Sequence, residues 1–202
     1  MGFDLYGMNP DIKEGTKKPK EIDWSNSTEE ERDEHFKAVD EFERINKGVY
    51  FRNNVWWWRQ LANYVCEHTK CVDKEDFDKW QENGGHEVDE ETANQIANQL
   101  EYLIKTGHAE KYKQEVDVVR KKAKEHNNKV EQKLSELRAE VAKIVGEDKA
   151  KNLAPIDYPE PFHKKWNEIY AETDYRESYP FTIDNVRQFI EFARNSGGFR
   201  IC

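Results

Sequence analysis

The chain has 202 residues, with 41 Asp and Glu against 32 Lys and Arg and a hydrophobic share of only 36%. Its net charge of −9 works against coating a nucleic-acid backbone, which needs an array of cations to displace counterions. No stretch approaches the ~18 uninterrupted apolar residues of a membrane span, and the opening MGFDLYGMNP lacks the basic and apolar regions of a signal peptide.

Three cysteines at irregular spacing do not make a disulfide framework and fit a reducing, cytoplasmic compartment. Six Trp, nine Tyr and ten Phe argue against disorder despite the high charge. The expectation is a mainly α protein: a compact helical domain carrying a long protruding helix or helical hairpin.

In chain order, residues 1–26 read as an extended opening segment followed by a linker, with Lys13, Lys17, Lys18 and Lys20 set around Gly15 and Pro19. A helical core over 27–108 begins at Ser27, whose hydroxyl and Glu30 are spaced as a capping box. Phe36, Val39, Phe42 and Ile45 then recur every three residues, and Gly48 ends this helix. Asn53 or Asn54 caps a second helix to about Glu67, with Trp58, Leu61, Ala62 and Val65 on one face. A short helix over Asp73–Gln81 buries Phe77 and Trp80. After the Asn83-Gly84-Gly85 turn, Asp89 caps a helix in which Ala93, Ile96, Ala97, Leu100, Leu103 and Ile104 hold the i, i+3, i+4 pattern to Gly107.

Residues 109–153 form the arm. Tyr112, Val116, Val119, Ala123, Val130, Leu134, Leu137, Val141 and Ile144 make a narrow, coiled-coil-like seam, interrupted by His126 and Asn127-Asn128. Either one helix of roughly 50 Å projects, or two helices fold back near Asn127. So thin a seam wants a partner helix, and a second copy of the chain, joined through 109–145, would supply one. Residues 110–151 carry a net +3 and the remaining 160 residues −12; these positive charges are interleaved with acids as on a solvated helix.

Residues 154–202 contain a Pro-rich connection, an amphipathic helix with Phe162, Trp166, Ile169 and Tyr170, and a last helix capped by Thr182. Phe181 and Val186 sit as a hydrophobic staple. Gly197-Gly198 stops that helix, leaving Phe199–Cys202 as a terminal strand that returns to the core.

The most unusual stretch is Tyr50-Phe51-Arg52-Asn53-Asn54-Val55-Trp56-Trp57-Trp58-Arg59. Consecutive helical residues point about 100° apart, so three tryptophans in a row cannot share one face. One reading is a central helix sandwiched by neighbours. The other adds aromatic faces, guanidinium forks and carboxamides together as the parts of a nucleotide-sized pocket.

Cys66, His68, Cys71 and His86 do not have a familiar zinc spacing, so no metal or other cofactor is expected. No nucleophile turn, oxyanion hole or acid–base couple marks an enzyme.

Three pieces carry a resemblance. The chain opens Met1-Gly2-x-Asp4-x-Tyr6-Gly7-x-Asn9-Pro10, contains the Tyr50–Arg59 stretch, and ends Ser178-Tyr179-Pro180-Phe181 … Ser196-Gly197-Gly198-Phe199-x-Ile201-Cys202. In these it resembles a group of small uncharacterised proteins encoded by bacteriophages and prophages. Similar proteins carry a cysteine-rich, zinc-ribbon-like insert. Residues 111–176 here contain no cysteine, so no zinc role carries over.

The resemblance implies a phage accessory protein of the host cytoplasm whose opening, tryptophan and terminal segments converge. The expected site joins Tyr6, Arg52, Asn53, Asn54, Trp56, Trp57, Arg59, His86, Gly197, Gly198 and Phe199 around a small anionic ligand such as a nucleotide, for instance a host immune signal. The alternative is a protein–protein interaction module that inhibits a host factor through the arm.

Overall fold

The structure, a computed structural model, describes residues 2–202. Helices dominate it, joined by one small sheet. Its elements are β1 (Gly2–Gly7), α1 (Glu29–Ile45), β2 (Tyr50–Asn54), α2 (Val55–His68), β3 (His86–Val88), α3 (Glu90–Lys105), α4 (His108–Val145), α5 (Glu147–Ala150), α6 (Phe162–Tyr170), α7 (Ile183–Asn195) and β4 (Phe199–Ile201). Among the described residues no helix is long and apolar enough to cross a membrane. The chain forms two compact units: residues up to Lys113 together with Phe181–Cys202, and Gln114–Pro180. The division falls inside α4 and at Phe181.

In the first unit the strands run antiparallel in the order β2-β1-β4-β3. The opening segment, the Tyr50–Asn54 segment and the terminal segment are thus neighbouring strands. Alternation along β1 sends Phe3 and Leu5 into the core and leaves Tyr6 at the surface, as the two-residue period of a strand requires. Register places Leu5 opposite both Phe51 and Ile201, and Tyr6 opposite Tyr50 and Arg200.

On the buried face, Trp58 stacks on Trp80 with ring centroids 5.8 Å apart and on Phe3 at 5.6 Å. Its Nε1 donates to the carbonyl of Trp80 over 2.7 Å, so the only polar atom of the buried indole is satisfied. Phe51, Phe189, Phe192 and Phe199 continue this aromatic layer at 5.4–5.8 Å, and α3 packs on α7.

Close backbone approach explains two glycines. A Cβ on Gly48 would lie 1.8 Å from the carbonyl oxygen of Asn195, and one on Gly197 would lie 2.0 Å from that of Asn9. Gly197 also has φ +58°, the left-handed region in which glycine carries no penalty.

Several local expectations shift. The capping box of α1 is Thr28 with Glu31, one residue beyond Ser27 and Glu30. The Ser27 hydroxyl instead accepts from Arg32 Nε at 2.9 Å. Phe42 is the one buried residue of α1, and Phe36 is exposed. Asp73–Gln81 is not an α-helix: it is a set of turns ending in a single 3-10 turn at Lys79–Gln81, which still buries Trp80 while Phe77 is half-buried. Asp89 caps α3 and Thr182 caps α7, each accepting from the backbone N–H three residues on.

In the second unit α4 continues through His126–Asn128 without a turn; the helix as a whole has 38 residues, about 57 Å at 1.5 Å per residue. The hairpin alternative is overturned, and the reason is local. Asn127 Nδ2 donates to the carbonyl of Asp174 and to Glu177, its Oδ1 accepts from the Asp174 N–H, and Arg120 Nε donates to the carbonyl of Glu177. The polar residues that looked like a break are a clip for the 172–177 turn.

The seam closes within the chain. Val130, Leu134, Leu137 and Val141 are buried with Tyr158 and Trp166, and Leu153, Phe162 and Ile169 pack against the cluster. This seam therefore has its partner without a second copy. Val119 and Ile144, expected on it, are exposed.

Candidate ligand cleft

Asn54 ends β2 and caps α2, its Oδ1 accepting from the backbone N–H groups of Trp56 and Trp57 at 3.0 and 3.1 Å. That satisfies two of the four donors a helix start leaves open. Asn53 Nδ2 donates to Asn185 Oδ1 at 3.1 Å. Both carboxamides are thus engaged in holding the fold. Of the three tryptophans Trp58 is sealed in the core, Trp57 is half-buried and Trp56 is 38% exposed.

Strand alternation puts Tyr6 and Arg52 on the sheet face opposite the core, together with Asp4, Tyr50 and Arg200. The rings of Tyr6 and Tyr50 lie 5.3 Å apart. The Tyr50 hydroxyl donates to the Asp4 carboxylate, and Arg52 Nε stands 3.4 Å from the same carboxylate. Burial, then the hydrogen bond to Asp4, pushes the Tyr50 phenol well above its ordinary value. Burial and the Asp4 charge also raise Tyr6. Both are neutral donors at physiological pH.

Along the free edge of β2 lies a cavity of about 320 Å³, between the C-terminal end of α1 and α7. Arg44, Lys47, Tyr50, Arg52, Gln188 and Glu191 contribute to its wall. Arg44 forks onto Glu41, both contacts at 2.6 Å, and Arg52 leans on Asp4. Exposed pairs of this kind are worth only ~0–1 kcal/mol, so an incoming anion can replace either carboxylate at small cost. Glu43 shares this wall, where burial and then the nearby Asp40 raise its carboxyl.

Among the expected residues, Arg52 lines this cleft and Tyr6 packs, with its ring tilted, against the wall residue Tyr50. The others lie elsewhere. Arg59 is exposed on α2. His86, on the strand at the far side of the sheet, lines a separate cavity of about 220 Å³ with Cys71, Asp76 and Thr92. Gly197 and Gly198 form the tight turn between α7 and β4, and Phe199 is fully buried. Sequence reasoning missed Tyr50, Arg44, Lys47 and Gln188 as wall residues. The available signal was the two-residue period of Tyr50–Asn54, which marks a strand and separates Arg52 from the helical positions of Trp56 and Arg59.

Burial raises the Cys66 thiol to about 12 and also raises Cys71, so both are thiols at neutral pH. Among the described residues no group of three His, Cys, Asp or Glu side chains is placed to hold a metal ion. Comparison with known protein families, curated proteins and solved structures returns no match.

Proposed function

We propose that this protein binds a small anionic, nucleotide-sized ligand in the cleft along β2, as a phage accessory protein that sequesters the ligand in the host cytoplasm. The supporting observation is that three cations, Arg44, Lys47 and Arg52, line one concavity of about 320 Å³ with Tyr50, against two carboxylates, Glu43 and Glu191; its volume is within the range of small-ligand sites. The guanidinium of Arg52 suits a phosphate fork, Lys47 supplies a point charge, and the Tyr50 and Tyr6 rings offer a stacking edge for a planar base. The proposed source is supported by the resemblance of three sequence segments to those of phage-encoded proteins.

A calorimetric panel of nucleotides, with nucleosides and inorganic phosphate as controls, tests this reading. Nucleotides should bind and raise the thermal midpoint, nucleosides and phosphate alone should bind far more weakly, and the ligand should be released with unchanged mass. Lys47→Ala with Arg52→Ala should weaken binding about 10–100-fold, the worth of one or two charge-assisted hydrogen bonds, while leaving the thermal midpoint of the free protein in place. No binding across the panel would overturn the reading, and a changed ligand mass would replace it with an enzyme.

A further inference from the structure

A second surface is built on the part of α1 that precedes its contribution to the ligand cleft. This helix has 17 residues yet buries only Phe42, and a helix of that length has little stability of its own in water. Its exposed stripe reads Glu29, Asp33, Phe36, Asp40 at helical spacing. Trp24, 51% exposed, packs edge-on against His35 and at 5.5 Å from Phe36, itself 53% exposed. The Trp24 segment is fixed from beneath: Arg32 donates to the Trp24 carbonyl at 2.8 Å and to the Ser27 hydroxyl at 2.9 Å. A groove of about 540 Å³ runs alongside, lined by Ile22, Asp23, Glu34 and His35 among others. A rigidly presented tryptophan at the surface costs little conformational entropy to bury and is the residue type that dominates interface energies.

The matching chemistry occurs on the same chain. On α4, Val118, Lys121, Lys122 and Lys129 share one exposed face, interrupted by Glu125 alone among its charged residues from 118 to 129, and Val118 is 53% exposed. No ion pair within the described residues occupies Asp33, Asp40, Lys121 or Lys122. One patch is aromatic and acidic, the other aliphatic and basic.

We infer that the α1 face of one copy docks on the Val118–Lys129 face of α4 in a second copy. Trp24 and Phe36 cover Val118, and Asp33 and Asp40 meet Lys121 and Lys122. The interface is heterologous, two different patches of the same chain, and charge complementarity sets its register. It is distinct from the apolar seam of α4, which the chain itself covers.

Charge reversal with sedimentation analysis of the full chain tests this. The wild type should self-associate at about 50 mM salt and weaken at least about 10-fold at about 500 mM. Asp33→Lys with Asp40→Lys, and separately Lys121→Glu with Lys122→Glu, should each yield a monomer with unchanged circular dichroism. An equimolar mixture of the two variants should associate again, because each then offers the patch that the other needs. A wild type that stays monomeric up to about 1 mM chain would overturn the inference. So would association indifferent to both reversals, a mixture that remains monomeric, or a salt-dependent compaction without change of mass, which would place the contact within one chain.

Discussion

Trp58 and Trp166 are both buried indoles, yet they are enclosed in different ways. Trp58, in the first unit, lies between the rings of Trp80 and Phe3, which are 22 residues after it and 55 before it in sequence. Trp166, in the second unit, meets Tyr158 edge-to-face at 5.6 Å and has the Arg138 guanidinium 4.7 Å from its ring centroid. One is closed by aromatics gathered from strands and turns far apart in the chain. The other is enclosed by Val130, Leu134, Leu137 and Val141 along α4 together with Tyr158, and Arg138, itself paired with Glu131, covers its ring. A core assembled from distant segments is deep and intolerant, whereas a seam along one helix is shallow and divisible.

The sharpest way to break this comparison is Trp58→Ala. Its cavity cannot be filled by the stacked neighbours, so a loss of about 4 kcal/mol is expected, read as a collapse of the first unit in denaturant unfolding. Trp56→Ala, at a partly exposed site on the same helix, should cost under about 1 kcal/mol. Comparable losses for the two would show that the ring environments are not as different as they look.

Leu134→Ala comes next, at about 3 kcal/mol. Its effect should be confined to faster amide exchange over the Gln114–Pro180 unit, with the sheet amides unchanged; loss of protection in β1 and β4 would join the two units into one cooperative block. Asn54→Ala removes the acceptor for two N–H groups at the start of α2 and should cost about 1 kcal/mol, visible as early fraying of Trp56 and Trp57.

The smallest effect is a pH effect. Asp174 is held down at about 2 by hydrogen bonds from the Arg176 side chain and backbone. Its folded value lies below the unfolded one of about 3.9. The contribution is therefore fully present above pH ~4 and is lost as pH falls toward 2. Amide exchange of the 172–177 turn should accelerate over that window, and Asp174→Asn should abolish the dependence.

The helices were legible where burial is one-sided. The positions from Ala93 to Leu100 face one core, and the caps at Asp89 and Thr182 act through local backbone donors, so periodicity and spacing carry the information. The sheet was legible only in its two central strands, as the extended opening segment (β1) and the terminal strand (β4). β2 was hidden because Tyr50–Asn54 runs directly into α2 with Asn54 as cap, and a window spanning both averages a period of two with one of 3.6. β3 is three residues long, too short for any period. The site suffered from the same join: Arg52 and Arg59 look like members of one cluster when both are placed on a helix, whereas a strand and a helix send them to different surfaces. Cleft residues from α1 and α7 carry no local mark, because only the tertiary approach of these elements to the β2 edge gives Lys47 and Gln188 a common ligand space.

The strand order β2-β1-β4-β3 has a consequence for synthesis. β1 is flanked by β2 and β4, and the latter's Phe199 emerges from the ribosome 149 residues after Tyr50. At about 5–20 residues per second this is a delay of about 7–30 s. Throughout it, the edge of β1 that pairs with β4 has no partner. The Gln114–Pro180 segment is translated in full before then and can settle first. The sheet of the first unit therefore cannot be completed until β4 is made, by which time every residue of the second unit has been translated.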